Sequence, residues 1–251
     1  NQLTGLRQPV GNYPGVTVEK SQGVMTSSNS QISLVDLPGV YSLVPEQQSS
    51  EDERITLNYL VNNPTDLIVN VVDATSLERH LYLTIQLREL NRPMIVIVNK
   101  WDLAKQQGLN INLGLLQEKL GCPVISMSAK SKPQIHQLTQ KFVLANSMTS
   151  SDSFTVDYGP QINQWLSEFE QKNRFLTLVA ITRQNQSIDH DIELAIASAR
   201  YSVCNAICQQ IIEYPQTKNG NIKSEVVDQW LLKPLVAIPV FLLAMYFMFM
   251  F

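Results

Sequence analysis

Two short runs, Asp66 to Asp73 (DLIVNVVD) and Met94 to Asn99 (MIVIVN), limit the folding choices of this chain more than any other feature. Both are apolar, β-branched stretches lacking the alternation of a half-wet strand, the pattern of parallel strands covered on both faces. Parallel neighbours need a crossover, and Ser76 to Leu90 supplies one, with Leu77, Leu81, Ile85 and Leu87 mostly on one side and Ser76 as its N-cap. The unit repeats: a helix around Leu113 to Leu120, a strand at Pro123 to Met127 and a helix at Gln134 to Ala145. Ahead of it, Val16 to Met25 and Gln31 to Asp36 read as an antiparallel hairpin turned at Ser27 to Ser30. The fold class is α/β, a mostly parallel sheet with one antiparallel hairpin. Ligands should bind beyond the carboxyl ends of its strands.

The texture changes near residue 146, where Asn146 to Ser153 reads as a polar linker. Helical segments follow without strand alternation, at Gly159 to Lys172, Phe175 to Gln184 and Asp189 to Glu213, and they predict a small all-α domain. In the last of them Leu194, Ala195, Ala199, Ala206, Ile207 and Ile211 form a packing stripe. A second linker, Tyr214 to Lys223, leads to Leu235 to Phe251, a charge-free run that reads as the start of a transmembrane helix. Lys218, Lys223 and Lys233 precede it and place residues 1–232 on the cytoplasmic face. The expected divisions are 1–146, 147–222 and 223–251.

With 251 residues, 44% hydrophobic and 16% charged, the chain can bury a real core, which argues against disorder. A net charge of -3 lacks the basic excess of a nucleic-acid binder. Cys122, Cys204 and Cys208 lie in apolar segments and read as reduced, buried thiols. Cys204 and Cys208 are four apart on a predicted helix, but no His or further Cys stands nearby to complete a metal site.

Three loops carry the chemistry. Asp36, Leu37, Pro38 and Gly39 end one strand with D-x-x-G, where a carboxylate can hold the water shell of Mg²⁺ and a glycine N–H can approach a terminal phosphate. Asn99, Lys100, Trp101 and Asp102 end another with N-K-x-D. The Asp can accept both N–H groups on the 2-amino face of guanine, which adenine lacks, and the Lys100 stem can lie along the base. Ser128, Ala129 and Lys130 follow the next strand, where a backbone N–H could reach the guanine carbonyl. Each motif alone is weak or moderate; their order on successive strands points to GTP and GDP. Thr17, within Gly15, Val16, Thr17, Val18 and Glu19, is placed to ligate Mg²⁺ beside Asp36 and to order its loop around a γ-phosphate. Glu51 to Arg54 is a charge cluster that reads as a solvated helix start.

With these motifs in place, the chain resembles the cytoplasmic part of the FeoB family of bacterial ferrous iron transporters. The resemblance rests on NQLTGLRQPVGNYPGVTVEK, LVDLPGVYSL, NVVDATSLERHLYLTIQL, NKWD, ARYSVCNAIC and WLLKPLVAIPVFLLAMYFMF. It implies a P-loop-type GTPase G domain, a helical domain that modulates nucleotide release, and a polytopic inner-membrane part that moves Fe²⁺, with accessory proteins and self-association compatible with it. The glycine-rich phosphate loop of the family falls immediately before Asn1, so the polypeptide as given should hydrolyse GTP poorly. Val40 stands where the small-GTPase template has a water-orienting Gln, which predicts slow hydrolysis or reliance on backbone groups. Competing readings are a soluble GTPase of the ribosome-assembly or tRNA-modification type, disfavoured by the missing basic tail, and a non-catalytic interaction module that keeps only the scaffold.

Overall fold

Antiparallel strands β1 (Ser21–Ser27) and β2 (Ser30–Asp36) pair from Ser21 opposite Asp36 to Ser27 opposite Ser30. They form the hairpin expected from the sequence. The computed structural model describes residues 21–27, 30–43, 50–63, 65–129, 138, 142, 154–168, 174–184, 190–214 and 234–250. Helix α1 (Glu51–Asn62) follows, opened by a reciprocal cap in which Ser50 Oγ accepts from the Glu53 N–H and the Glu53 carboxylate accepts from the Ser50 N–H. The acidic cluster at 51–53 is thus a helix start, where negative charge favours the exposed N–H groups.

The parallel sheet is β3 (Ile68–Asp73), β4 (Met94–Asn99) and, after α3 (Trp101–Gln106), β5 (Asn110–Ile111) and α4 (Leu113–Leu120), strand β6 (Val124–Ser126), in the order β3-β4-β6. Its crossover is a single 3-10 turn (Ala74–Ser76) running into α2 (Leu77–Glu89). Ser76 stands at the expected N-cap position of α2, but its side chain makes no capping bond there; the Asp73 carboxylate caps the preceding 3-10 turn by accepting from the Thr75 N–H.

Strand β4 is buried on both sides. Val96 and Val98 join the cluster with Leu77, Leu81 and Ile85 of α2, while Ile95 and Ile97 pack with Met25, Met127, Leu138 and Phe142. For β3 the two-sided expectation fails at one position, since Val71 is 55% exposed. The β5 strand and the 3-10 turn have no counterpart in the sequence reading, each being too short to show a period. Helix α4 ends at Gly121 in the left-handed region (φ 61°), where an added Cβ would press on Arg88 Nη2 at 3.4 Å.

Beyond residue 154 come α5 (Pro160–Glu168), α6 (Arg174–Gln184) and α7 (His190–Ile211), close to the predicted segments. The predicted final helix ran to Glu213, but Ile212–Glu213 forms β7, paired antiparallel with β5 and fastened by Asn110 Nδ2 donating to Glu213 Oε2 at 2.8 Å. The α7 packing stripe is also corrected: the buried face is Ile196, Arg200, Cys204, Ile207, Cys208 and Ile211, with Leu194 turned outward. That face covers α2, and Tyr201 stacks on Tyr82 with ring centroids 4.5 Å apart.

In the last turn of α2, Gln86, Arg88 and Glu89 are buried, and α7 meets that turn at Glu89. Arg88 donates to the Leu120 and Gly121 carbonyls, at 2.7 and 3.3 Å. Glu89 accepts from Arg200 Nη2 at 2.7 Å and Nε at 3.0 Å, and Tyr158 donates its hydroxyl to the other Glu89 oxygen. Burial pushes the Tyr158 phenol up, and the Glu89 charge adds to this. A buried ion pair is weak evidence of stability in itself, but removing one partner strands the other charge. Glu89→Ala should therefore lower the unfolding free energy by about 3–5 kcal/mol in urea titration.

Helix α8 (Pro234–Met250) is wholly apolar with Pro239 inside it. Among the described residues, no helix is long and apolar enough to cross a membrane. The three cysteines are buried and unbridged, and burial pushes Cys204 up to about 12 and Cys122 and Cys208 up to about 11. Near pH 8 these thiols stay almost wholly protonated. Alkylation by iodoacetamide at that pH should be slow in the folded protein and rapid in guanidinium; fast modification of the native state would contradict this burial.

Candidate functional site at the carboxyl edge of the sheet

Because β3 and β4 pair with Asp73 opposite Asn99, and β4 and β6 with Val98 opposite Ser126, the chain leaves all three strands at one sheet edge. Lys100, just past β4, adopts the left-handed region (φ 59°), rarely visited by a side chain of this size. It turns the backbone so sharply that α3 begins at the next residue, placing Trp101 and Asp102 in its first turn. The Trp101 N–H donates to the Met127 carbonyl at 3.2 Å and joins the two loops.

Side chains complete the junction. Asn99 Oδ1 accepts from the Ala129 N–H at 3.0 Å, binding the N-K-x-D strand end to the S-A-K loop. The Asp102 N–H donates to Ser128 Oγ at 3.1 Å, and that hydroxyl donates back to Asp102 Oδ1 at 2.7 Å. One serine therefore fixes both the start of α3 and the orientation of its carboxylate. Lys100 Nζ lies 2.6 Å from Asp73 Oδ2. The other Asp73 oxygen accepts from Thr75 N–H and Oγ1–H, at 2.9 and 2.7 Å. Partial burial would raise the Asp73 pKa, but the bonds from Lys100 and Thr75 outweigh it and hold the carboxyl below its ordinary value.

Asp36 is exposed at the end of β2, and the D-x-x-G loop beyond it is held through α1 and α2. Leu37 packs on the core, Pro38 is buried, and the Pro38 carbonyl accepts from Thr56 Oγ1 at 3.3 Å. An added Cβ at Gly39 would meet nothing within 4 Å, so the space beside that backbone is open. Val40 turns toward the core. Tyr41 lies under the Arg79 guanidinium at 3.9 Å and beside His80, whose pKa burial lowers. Buried Gln86 accepts from the Leu43 N–H at 2.8 Å and donates to Ser42 Oγ at 3.3 Å.

Asn99, Lys100, Trp101, Asp102, Ser128 and Ala129 are thus brought together, whereas Asp36 to Gly39 is anchored separately. Gly15, Val16, Thr17, Val18, Glu19 and Lys130 lie outside the described residues, as do most of the predicted helix at 134–145, the first linker and the second linker beyond Tyr214. Sequence reasoning missed Asp73, Thr75, Thr56 and Gln86. The signal for Asp73 was an acid closing a strand beside the N-K-x-D strand; Gln86 gave none, being a polar residue among helix-surface neighbours. Replacing Gln86 with Leu would leave the buried Leu43 N–H without its partner, a loss of about 1–3 kcal/mol. Hydrogen exchange should show the Leu43 amide opening faster in that variant while β4 amides keep most of their protection.

Comparison with known proteins matches the fold and the sequence as a whole. The sequence profile of the family described as ferrous iron transport protein B matches residues 1–142. The Fe(2+) transporters FeoB of Escherichia coli strain K12 and of Salmonella typhimurium are each 34% identical over the whole chain, which spans 36% of their length. Among solved structures, the cytosolic domain of Thermotoga maritima FeoB in a GDP form has a TM-score of 0.71 at 28% identity, covering 85% of this chain and 92% of that one. The cytosolic domain of Legionella pneumophila FeoB has a TM-score of 0.70 at 33% identity, with coverage of 85% and 92%. A Streptococcus thermophilus FeoB structure bound to mGMPPNP has a TM-score of 0.67 at 29% identity, covering 87% of this chain and 93% of that one. With the family profile matching more than half of its residues and relatives aligned along its entire length, this chain belongs to the FeoB ferrous iron transport family.

Proposed function

We propose that this chain is the guanine-nucleotide-binding and regulatory portion of a ferrous iron transporter. The observation that carries the reading is the junction in which Ser128 orients the Asp102 carboxylate while Asn99 holds the Ala129 backbone. A carboxylate so fixed matches the paired N–H donors of guanine and offers nothing comparable to adenine. The Ala129 loop is then the source of a backbone donor toward the guanine carbonyl, and Lys100 lies along the base. GDP- and mGMPPNP-bound structures of FeoB proteins of the same fold support it.

For Mg²⁺, exposed Asp36 offers the hard oxygen donor this cation prefers, and Thr17 is the proposed second ligand. The bound ion would neutralise charge developing on the terminal phosphate. Open space at Gly39 suits close approach of that phosphate to backbone N–H. With Val40 packed inward, no side chain at that position orients water, so hydrolysis of GTP by in-line water attack is slow and depends on backbone groups. That tempo suits a switch.

The proposed division is a G domain at 1–146, a helical regulatory domain at 147–222 and a juxtamembrane segment with the start of a membrane helix at 223–251. Support for lipid contact comes from α8, where Phe241 and Phe249 are 62% and 78% exposed on a charge-free helix. Residues 1–232 would face the cytoplasm of a bacterial inner membrane, with Fe²⁺ as cargo, and with accessory proteins of iron transport and self-association as further partners.

Base selectivity is the direct test. In the intact protein, Asp102→Asn should weaken GTP about 100-fold and improve xanthosine triphosphate, whose 2-oxo group suits an amide donor. Unchanged GTP affinity would remove Asp102 from the site.

A further inference from the structure

The Asp73–Lys100 pair joins the lysine of N-K-x-D to a residue outside the three motifs. An exposed ion pair ordinarily contributes little, because two mobile side chains must be held in one geometry. Here the acid is already held. Asp73 closes a strand in register with Asn99, and the Thr75 N–H and hydroxyl both occupy Oδ1, so Oδ2 is turned to Lys100 before any ligand arrives. The base is constrained too: the Lys100 backbone is held in the left-handed region, and Nζ ends 2.6 Å from Oδ2 with the side chain still half exposed.

We infer that Asp73 is a positioning residue for the guanine site, acting through Lys100. Two physical consequences support this. A lysine stem anchored at its tip presents an extended apolar edge, and ordering it in advance reduces the rotamer freedom lost when a base settles on it. The same anchor occupies the ammonium, which stands two residues from Asp102 and would otherwise compete with the nucleobase for that carboxylate. Thr75 contributes by keeping the Asp73 carboxylate in one rotamer. The inference rests on the guanine reading given above and assigns a role to a residue outside its motifs.

The test is a double-mutant cycle on GDP affinity in the intact protein, with ADP titrated alongside. Asp73→Asn retains an oxygen that can accept from Thr75 and so keeps the 3-10 turn while removing the charge; Lys100→Met keeps a comparable stem without the ammonium. Each single change should weaken GDP about tenfold, and the double variant should also be about tenfold weaker, not a hundredfold, because the two residues act as one unit. Thermal midpoints of all four proteins should stay close. Wild-type GDP affinity in Asp73→Asn, or additive losses in the double variant, would overturn the role of Asp73 while leaving the guanine site standing. Equal affinity of the wild-type protein for ADP and GDP would instead remove the site on which the role depends.

Discussion

Everything at the sheet edge depends on the in-register parallel pairing of β3 with β4. Six consecutive residue pairs, from Ile68–Met94 to Asp73–Asn99, bring two strands to an end at the same level. A slip of one residue would turn Val96 and Val98 out of the α2-side core and exchange them with Ile95 and Ile97. The register is therefore enforced by burial, since all five apolar residues of β4 are nearly inaccessible. The chemistry of the loops is a consequence of packing several residues away.

On that edge, order comes from a small number of bonds between loops. Asn99, Ser128 and Asp73 each tie a group on one strand's exit to a group on another's, so none of the loops is positioned by its own sequence alone. Helix α2 connects this edge to the rest of the molecule. Gln86 grips the segment following D-x-x-G, and Glu89, one turn later, is locked to Arg200 and Tyr158 in the helical part. The two contacts share a rigid helix, so a displacement of Leu43 and a shift of α7 are mechanically related.

Much of this was legible in the sequence because it follows from patterns with a physical cause. Unbroken β-branched runs gave the parallel strands, and helical spacing of Leu77, Leu81 and Ile85 gave α2 and its buried face. The D-x-x-G, N-K-x-D and S-A-K loops were visible because their residue types are the ones the proposed nucleotide would demand. What stayed hidden depended on tertiary contact. Gln86, Arg88 and Glu89 look like the wet side of a helix until the 42–43 segment, the end of α4 and α7 meet them in turn, and β5 and β7 are two residues each. Ser76 marked the start of α2, but the capping bond nearby is made one turn earlier, by Asp73 at the 3-10 turn. In α7 the alanines suggested the packing face, whereas the buried face includes an arginine whose partner is 111 positions away.

The account reduces to a claim about one edge of one sheet, where a carboxylate oriented by a serine selects a purine by its 2-amino face. Titration calorimetry of the intact protein with GDP and with ADP measures this most directly. The account predicts GDP binding tighter than ADP by at least about a hundredfold, the size of discrimination that charge-assisted pairing supports. Equal affinities for the two nucleotides would contradict it.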